Sequence, residues 1–343
     1  MKLKHNRIAG IIVCAAILVC VGVLLGAAGT VKEGSRGTIN SMEPASGRAD
    51  KNLLIHEQAG GSRVYFTADI SPKGLAAVYQ ALEAKPAGKI AVKLSTGEPP
   101  NSNYLRPELI KDLVQSLHGT IVECNTAYGG RRASSSLHLQ VAKDHGFTAI
   151  ADFDLMDMDG EISLPVQNGE VLKENFVGSH FNNYDYYVVL SHFKGHQMAG
   201  FGGSIKNISI GIASAGGKSW IHSGGTRKSG LGGDQSNFLK SMAEAGKSVT
   251  DSLRGNILYV NVMNRLSIDC DCNGNPAEPD IHDIGILASM DPVALDQACV
   301  DLIYKAEGNE RMVRRIEQMK GILTLEHAEK IGLGSRNYEL IKL

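Results

Sequence analysis

Cysteine is scarce in this 343-residue sequence, with six in all, and Cys14 and Cys20 fall inside an apolar N-terminal run where they serve as small apolar residues. The four that remain, Cys124, Cys270, Cys272 and Cys299, are too few for a disulfide framework. Aromatic residues make up 6%, tryptophan occurs once, and no basic stripe interleaved with aromatics accompanies the net charge of −1, so nucleic acid is not an expected partner. Internal repeats and low-complexity tracts are absent. With 43% apolar and 21% charged residues, the chain has an ordinary globular balance, sized for one large or two modest domains. Two nucleotide signatures also fail on spacing. A G-x-G-x-x-G fingerprint begun at Gly200 meets Ile205 at its sixth position, and a P-loop ending Gly217-Lys218-Ser219 would need glycine where Ile212 stands.

Long apolar runs are missing except at the start. Lys2, Lys4 and Arg7 precede an uncharged run of 22 residues, Ile8 to Gly29. It is long enough to cross a bilayer as a helix, and its basic flank predicts the N-terminus inside and the rest outside. Length favours an anchor, while Ala27-Ala28-Gly29 offers a cleavage site for a signal peptide. The expected organisation is a signal-anchor or signal peptide over 1–29, a linker over 30–62 and a single α/β domain over 63–343. The protein would then be single-pass in the cell membrane with an extracytoplasmic domain, or secreted if cleaved. Met1 to Arg7 carries no twin-arginine signal.

Beyond the linker, apolar strand-like runs alternate with helical patterns. Strands are expected at Lys89–Leu94, Thr120–Cys124, Thr148–Ala151, Tyr186–Leu190, Asn256–Val260 and Ile284–Ala288, with a hairpin over Ile162–Leu172. Helices are expected at Ser71–Ala84, Pro107–Leu117, Ser135–His145, Asp234–Leu253, Asp291–Ala306 and Arg311–Lys320. Ser71-Pro72 and Asp291-Pro292 pair an N-cap with proline at the first helical position. The alternation predicts a mostly parallel sheet with helices on both faces.

The glycines concentrate in Ser191–His222, which leaves the end of a buried strand, where open α/β sheets keep their ligands. This stretch holds His192, His196, Gly200, Gly202, Gly203, Lys206, Lys218 and His222. Glycines admit backbone N–H groups close to a bound group and lysines add point charge, so Gly200, Gly202, Gly203, Lys206 and Lys218 are candidates for holding a small anionic ligand. Each alone also reads as a turn glycine or a solvated lysine. Gly195, between the two histidines, argues for a loop rather than a shared helical face. A second constellation follows a strand: Asp269-Cys270-Asp271-Cys272, then Glu278, Asp280, His282 and Asp283. A C-x-C pair supplies half a metal site, and His192, His196 and His222 are candidate partners for a divalent ion; the alternatives are two unliganded thiols or a disulfide between neighbours. Asp291 reads as an N-cap, whereas Asp296 lies past the capping positions. Arg106, and Arg131 and Arg132 beside Asn125 and Tyr128, sit in loops at strand exits, where arginine can clamp a carboxylate or phosphate.

Three long motifs in order, KLSTGEPPNSNYLRPELIKDLV, HFKGHQMAGFGGSIKNISIGIASAGGK and CDCNGNPAEPDIHDIGILASMDPVALDQA, resemble the domain of unknown function 362 family over roughly Val64 to Leu302. The resemblance implies kinship with uncharacterised iron–sulfur-type proteins, many of which carry a two-cluster ferredoxin module after the histidine matched here by His222. Only fifteen residues, none a cysteine, separate His222 from Phe238. A cluster needs four thiolates or close substitutes, so no iron–sulfur cluster is expected. Three readings follow: a metal-dependent or redox enzyme acting on a small anionic ligand, a non-catalytic metal- or ligand-binding module, and a redox partner of another electron carrier.

Overall fold

The computed structural model describes residues 56–343, which belong to one compact unit. The run at 1–29 lies outside the described residues, as does most of the linker. Among the described residues, no helix is long and apolar enough to cross a membrane.

In chain order the elements are β1 (Glu57–Thr67), α1 (Pro72–Ala81), β2 (Ile90–Lys93), α2 (Pro107–Ser116), β3 (Thr120–Glu123), α3 (Ser135–Asp144), β4 (Phe153–Leu155), β5 (Glu161–Pro165), β6 (Glu174–Gly178) and β7 (Tyr186–His192). There follow β8 (Lys194–His196), β9 (Gly200–Gly202), α4 (Ser204–Ser209), α5 (Ala215–His222), α6 (Gln235–Leu253), β10 (Ile257–Met263), β11 (Gly285–Ser289), α7 (Pro292–Lys305), α8 (Glu310–Gln318), α9 (Ile322–Lys330) and β12 (Tyr338–Lys342). Eight strands form one sheet in the order β12-β1-β11-β10-β7-β2-β3-β4. Every pairing is parallel except β1–β11 and β10–β11.

The central strands are apolar without alternation because both faces are covered. Along β7, Tyr187 and Val189 join one core cluster with residues of α4, α6, α7 and α9, while Tyr186, Val188 and Leu190 join the other with residues of α1 and α2. In β10, Tyr259 and Met263 face the first cluster, and Leu258, Val260 and Val262 the second. The expected α/β class, with a mostly parallel sheet between helical layers, is what the chain forms.

Local signals placed most elements. The Ser71 hydroxyl accepts from Gly74 N at 3.2 Å, and Asp291 caps α7 by accepting from Val293 N and Ala294 N. Three expectations need correcting. β1 starts inside the stretch read as linker, because Ser62 to Phe66 pair with Tyr338 to Lys342 of β12, a partner remote in sequence. The strand expected at Thr148–Ala151 is a 3₁₀ turn over Phe147–Ala149, and the edge strand β4 comes just after it. Gly195 lies in a strand rather than a loop: a Cβ there would stand 2.2 Å from the Ile268 carbonyl oxygen, and Gly195 N donates to Ser267 O at 2.8 Å. The glycine is what lets β8 pass against the segment following β10.

Candidate functional site

Parallel strands deliver their C-terminal ends to one edge of the sheet. Here β2 ends at Lys93, β3 at Glu123, β7 at His192 and β10 at Met263. A cavity of about 380 Å³ opens at that edge, and its walls include Lys93, Glu123 and His192. The stretch from His192 to His222 and the Cys270–Asn273 turn complete it.

Two carboxylates in the walls are consumed by the protein itself. Asp271, between the two cysteines, lies 2.8 Å from His192 Nδ1; Lys194 Nζ is 2.9 Å from its other oxygen, close enough for an ion pair but poorly aligned for a hydrogen bond. Burial alone would raise the Asp271 carboxyl, but the charges of His192 and Lys194 outweigh it and hold it well below the usual carboxylate range. His192 Nε2 is 2.6 Å from the Asn264 carbonyl oxygen, so both ring nitrogens face acceptors. His192 is therefore a partner of Asp271 and not a free metal ligand, which corrects the reading from spacing. On the opposite wall, Glu123 meets His138 Nε2 at 2.5 Å, Thr96 N at 2.6 Å and Arg132 Nη1 at 3.5 Å. Burial again acts to raise this carboxyl, and the His138 and Arg132 charges depress it strongly. Arg132 also holds Glu98 at 3.2 Å, so its clamp closes on the protein's own carboxylates. Arg131 turns outward to Asp144, and Arg106 stacks over the Tyr104 ring.

Among the described residues, three lysines of the cavity remain without a carboxylate in contact. Lys93 Nζ donates to Leu94 O at 2.5 Å and Asn207 Oδ1 at 3.0 Å, and Lys218 Nζ donates to Ala213 O at 2.5 Å. Burial lowers Lys93 to about 8 against the opposing pull of Glu123. Burial and then the neighbouring Lys194 charge lower Lys206 to about 7. His222 is pushed down to about 4 by burial; its Nδ1 lies 2.7 Å from Lys218 O, and its ring stacks on Phe238 at 4.5 Å.

The glycines divide differently from the expectation. Gly202 and Gly203 line the cavity, but Gly200 does not; it packs against the Ile316 and Gly321 backbone with φ +81°. At Gly203 a Cβ would stand 2.3 Å from Asp296 Oδ1. Asp296 accepts from Ser204 N at 2.8 Å and Ile205 N at 2.9 Å, and from Asn261 Nδ2 at 2.7 Å. The aspartate that capping of its own helix could not explain thus caps α4 from across the core, and Gly203 makes room for it.

His196, Cys270 and Cys272 each offer a donor atom within 4.8 Å of the others, a group that can hold a metal ion, and His222 lies outside it. The two sulfurs are joined in a disulfide. His196 Nδ1 accepts from Met198 N at 3.1 Å and Ala199 N at 2.9 Å, which places the proton of the neutral ring on Nε2. Burial and the surrounding lysine charges keep this ring neutral. A metal fits the trio only once the disulfide is reduced and the ring presents an unprotonated nitrogen free of its present hydrogen bonds.

Sequence reasoning missed Lys93, Glu123, His138, Lys194 and Asn207 as site residues, and it placed Asp271 beside the two cysteines without finding its partners. Two carried a usable signal: Lys93 and Glu123 are charged residues at the ends of otherwise apolar strands, where burial demands a partner or a ligand.

The fold and this strand-end cavity define an α/β protein with a cation-lined pocket. Residues 90–301 match the domain of unknown function family DUF362, and the chain belongs to that family. No curated protein matches the chain. Among solved structures, the lactate racemase apoprotein from Thermoanaerobacterium thermosaccharolyticum matches with a TM-score of 0.36 and 17% identity over 62% of this chain and 51% of that one. A Thermotoga maritima protein from a structural genomics programme matches with a TM-score of 0.35 and 13% identity over 76% and 58%. The chain covers less than two thirds of either, and neither likeness carries a functional argument.

Proposed function

We propose that the cavity binds a small carboxylate anion. One observation carries the reading: Lys93, Lys206 and Lys218 line the cavity with no carboxylate in contact among the described residues, while both wall carboxylates are held by their own cations. Uncompensated buried positive charge is expensive, and a bound anion relieves it. Acetate or pentanoate should raise the unfolding temperature, since a ligand at a hundred times its Kd adds about 2.7 kcal/mol. Lys93→Ala and Lys218→Ala should lose most of that gain. Affinity should fall as pH rises through 7 and 8, where Lys206 and then Lys93 shed their protons. An unfolding temperature indifferent to every anion, or an equal shift in both variants, would exclude the reading.

A second reading rests on the His196, Cys270 and Cys272 group. Reduced, the two thiolates and the imidazole supply three donors for a divalent ion of the kind that takes sulfur and nitrogen ligands. Zinc uptake should then appear only in the reduced protein and disappear in Cys270→Ser. The apolar run at 8–29 behind Lys2, Lys4 and Arg7 supports a third element of the proposal, attachment to the membrane with the folded domain outside the cytoplasm. The full chain should fractionate with membranes and its domain be cut by protease added outside; cutting only after lysis would reverse the topology.

A further inference from the structure

Lys206 differs from the other lysines of the cavity. Lys93 and Lys218 are tied to carbonyl oxygens and Lys194 to Asp271. The Lys206 amine has no hydrogen-bond partner among the described residues. Its stem also runs beside that of Lys194: a Cβ built on Gly202 would lie 3.2 Å from Lys206 Cδ and 3.8 Å from Lys194 Cε. Both side chains therefore cross the same glycine. One is a fixed ammonium and the other is untethered and half-buried, and an amine set next to a second cation is the arrangement that makes lysine a nucleophile toward carbonyl carbon.

We propose that Lys206 forms an imine with a small oxo acid, whose carboxylate is held by the remaining cations of the cavity. The inference rests on the anion-binding reading and adds a covalent step to it. The Nζ lone pair attacks the carbonyl carbon, and the carbonyl oxygen takes up a proton to give a carbinolamine. Loss of water then forms the C=N bond. The two amine hydrogens leave with the carbonyl oxygen as that water, and nothing is oxidised or reduced.

The charges around Lys206 agree with this role. Burial, then the Lys194 charge, lower its pKa to about 7; Arg132 and Lys93 add to the effect and Asp271 opposes it. His196 and His222, the imidazoles nearest in charge, are neutral at that pH because burial lowers both. At neutral pH the unprotonated fraction of such an amine exceeds that of an exposed lysine roughly a thousandfold.

The test uses the full chain with glyoxylate and, separately, 4-oxopentanoate, each with cyanoborohydride to trap the imine. The adduct should add the mass of the oxo acid less one oxygen. Peptide mapping should place it at Lys206, formed at least about tenfold faster than at the exposed Lys73 and Lys85. Its rate should rise with pH to a midpoint near 7. Lys206→Arg should remove the adduct while keeping the positive charge, with melting curves confirming the fold. Labelling of Lys206 no faster than Lys73 and Lys85 with both probes overturns the proposal. Calorimetry with the carbonyl-free acids acetate and pentanoate separates the two levels. If they bind and no adduct forms, only the imine fails; if neither they nor the oxo acids bind, the anion-binding reading fails with it.

Discussion

The two walls of the cavity solve the same problem with opposite remainders. On the β3 wall, Glu123 is gripped by His138 and Arg132, and Arg132 is shared with a second carboxylate, Glu98. On the β7 and β8 wall, Asp271 is gripped by His192 and Lys194, but Lys206 stands beside Lys194 with no carboxylate of its own among the described residues. The first wall has enough acid for its cations and is a structural knot. The second has more cation than acid, and the surplus faces the cavity. Charge balance counted wall by wall therefore separates scaffold from working surface, although each wall pairs a buried carboxylate with a histidine and a longer cation.

The comparison breaks most sharply at the carboxylates. Removing one partner of a buried pair costs about 3–5 kcal/mol, because the other charge stays buried and uncompensated. Asp271→Asn should lie at the upper end, since His192 and Lys194 have no second carboxylate among the described residues, and Glu123→Gln lower, since Arg132 keeps Glu98. Urea unfolding measures both, and equal losses would contradict the distinction. Both carboxyls are held below their ordinary value, so their contribution is full above about pH 4 and is lost as pH falls through the lower folded values. The gap between wild type and Asp271→Asn should accordingly close in acid.

A smaller effect tests how the second wall is assembled. Gly195→Ala forces a Cβ to within 2.2 Å of the Ile268 carbonyl, and the backbone must shift, at a cost of about 1–3 kcal/mol. Because the shift moves β8, it should weaken anion binding as well as stability, whereas a fold that tolerates alanine there would show that the segments are not in close contact.

The smallest effect has the opposite sign. Lys206→Met removes a cation whose charge burial disfavours, so it should stabilise the protein by about 1 kcal/mol while abolishing imine trapping. The wild-type amine sheds its proton as pH rises past about 7, so the gain should be larger at pH 6 than at pH 9. Destabilisation by methionine at both pH values would mean that the ammonium has a partner in the fold.

By itself the sequence determined the layered α/β class, because unbroken apolar runs such as Tyr186–Leu190 can be satisfied only by burial on both faces, and the Ser71-Pro72 and Asp291-Pro292 signals act within one turn of chain. It also marked His192–His222 and Cys270–Cys272 as places of interest, since glycine, lysine, histidine and cysteine at a strand exit are local features. Only the tertiary structure decided what those residues do. His192 passed from ligand to partner because Asp271 arrives from a loop 79 positions away. Gly203 passed from anion cradle to spacer because Asp296, 92 positions from Ser204, caps α4 across it. Lys93 and Glu123 became cavity walls because β2, β3 and β7 end at one edge. Charge pairing is a property of distance in space, and the spacing of residues along a chain does not encode it until the strands are ordered.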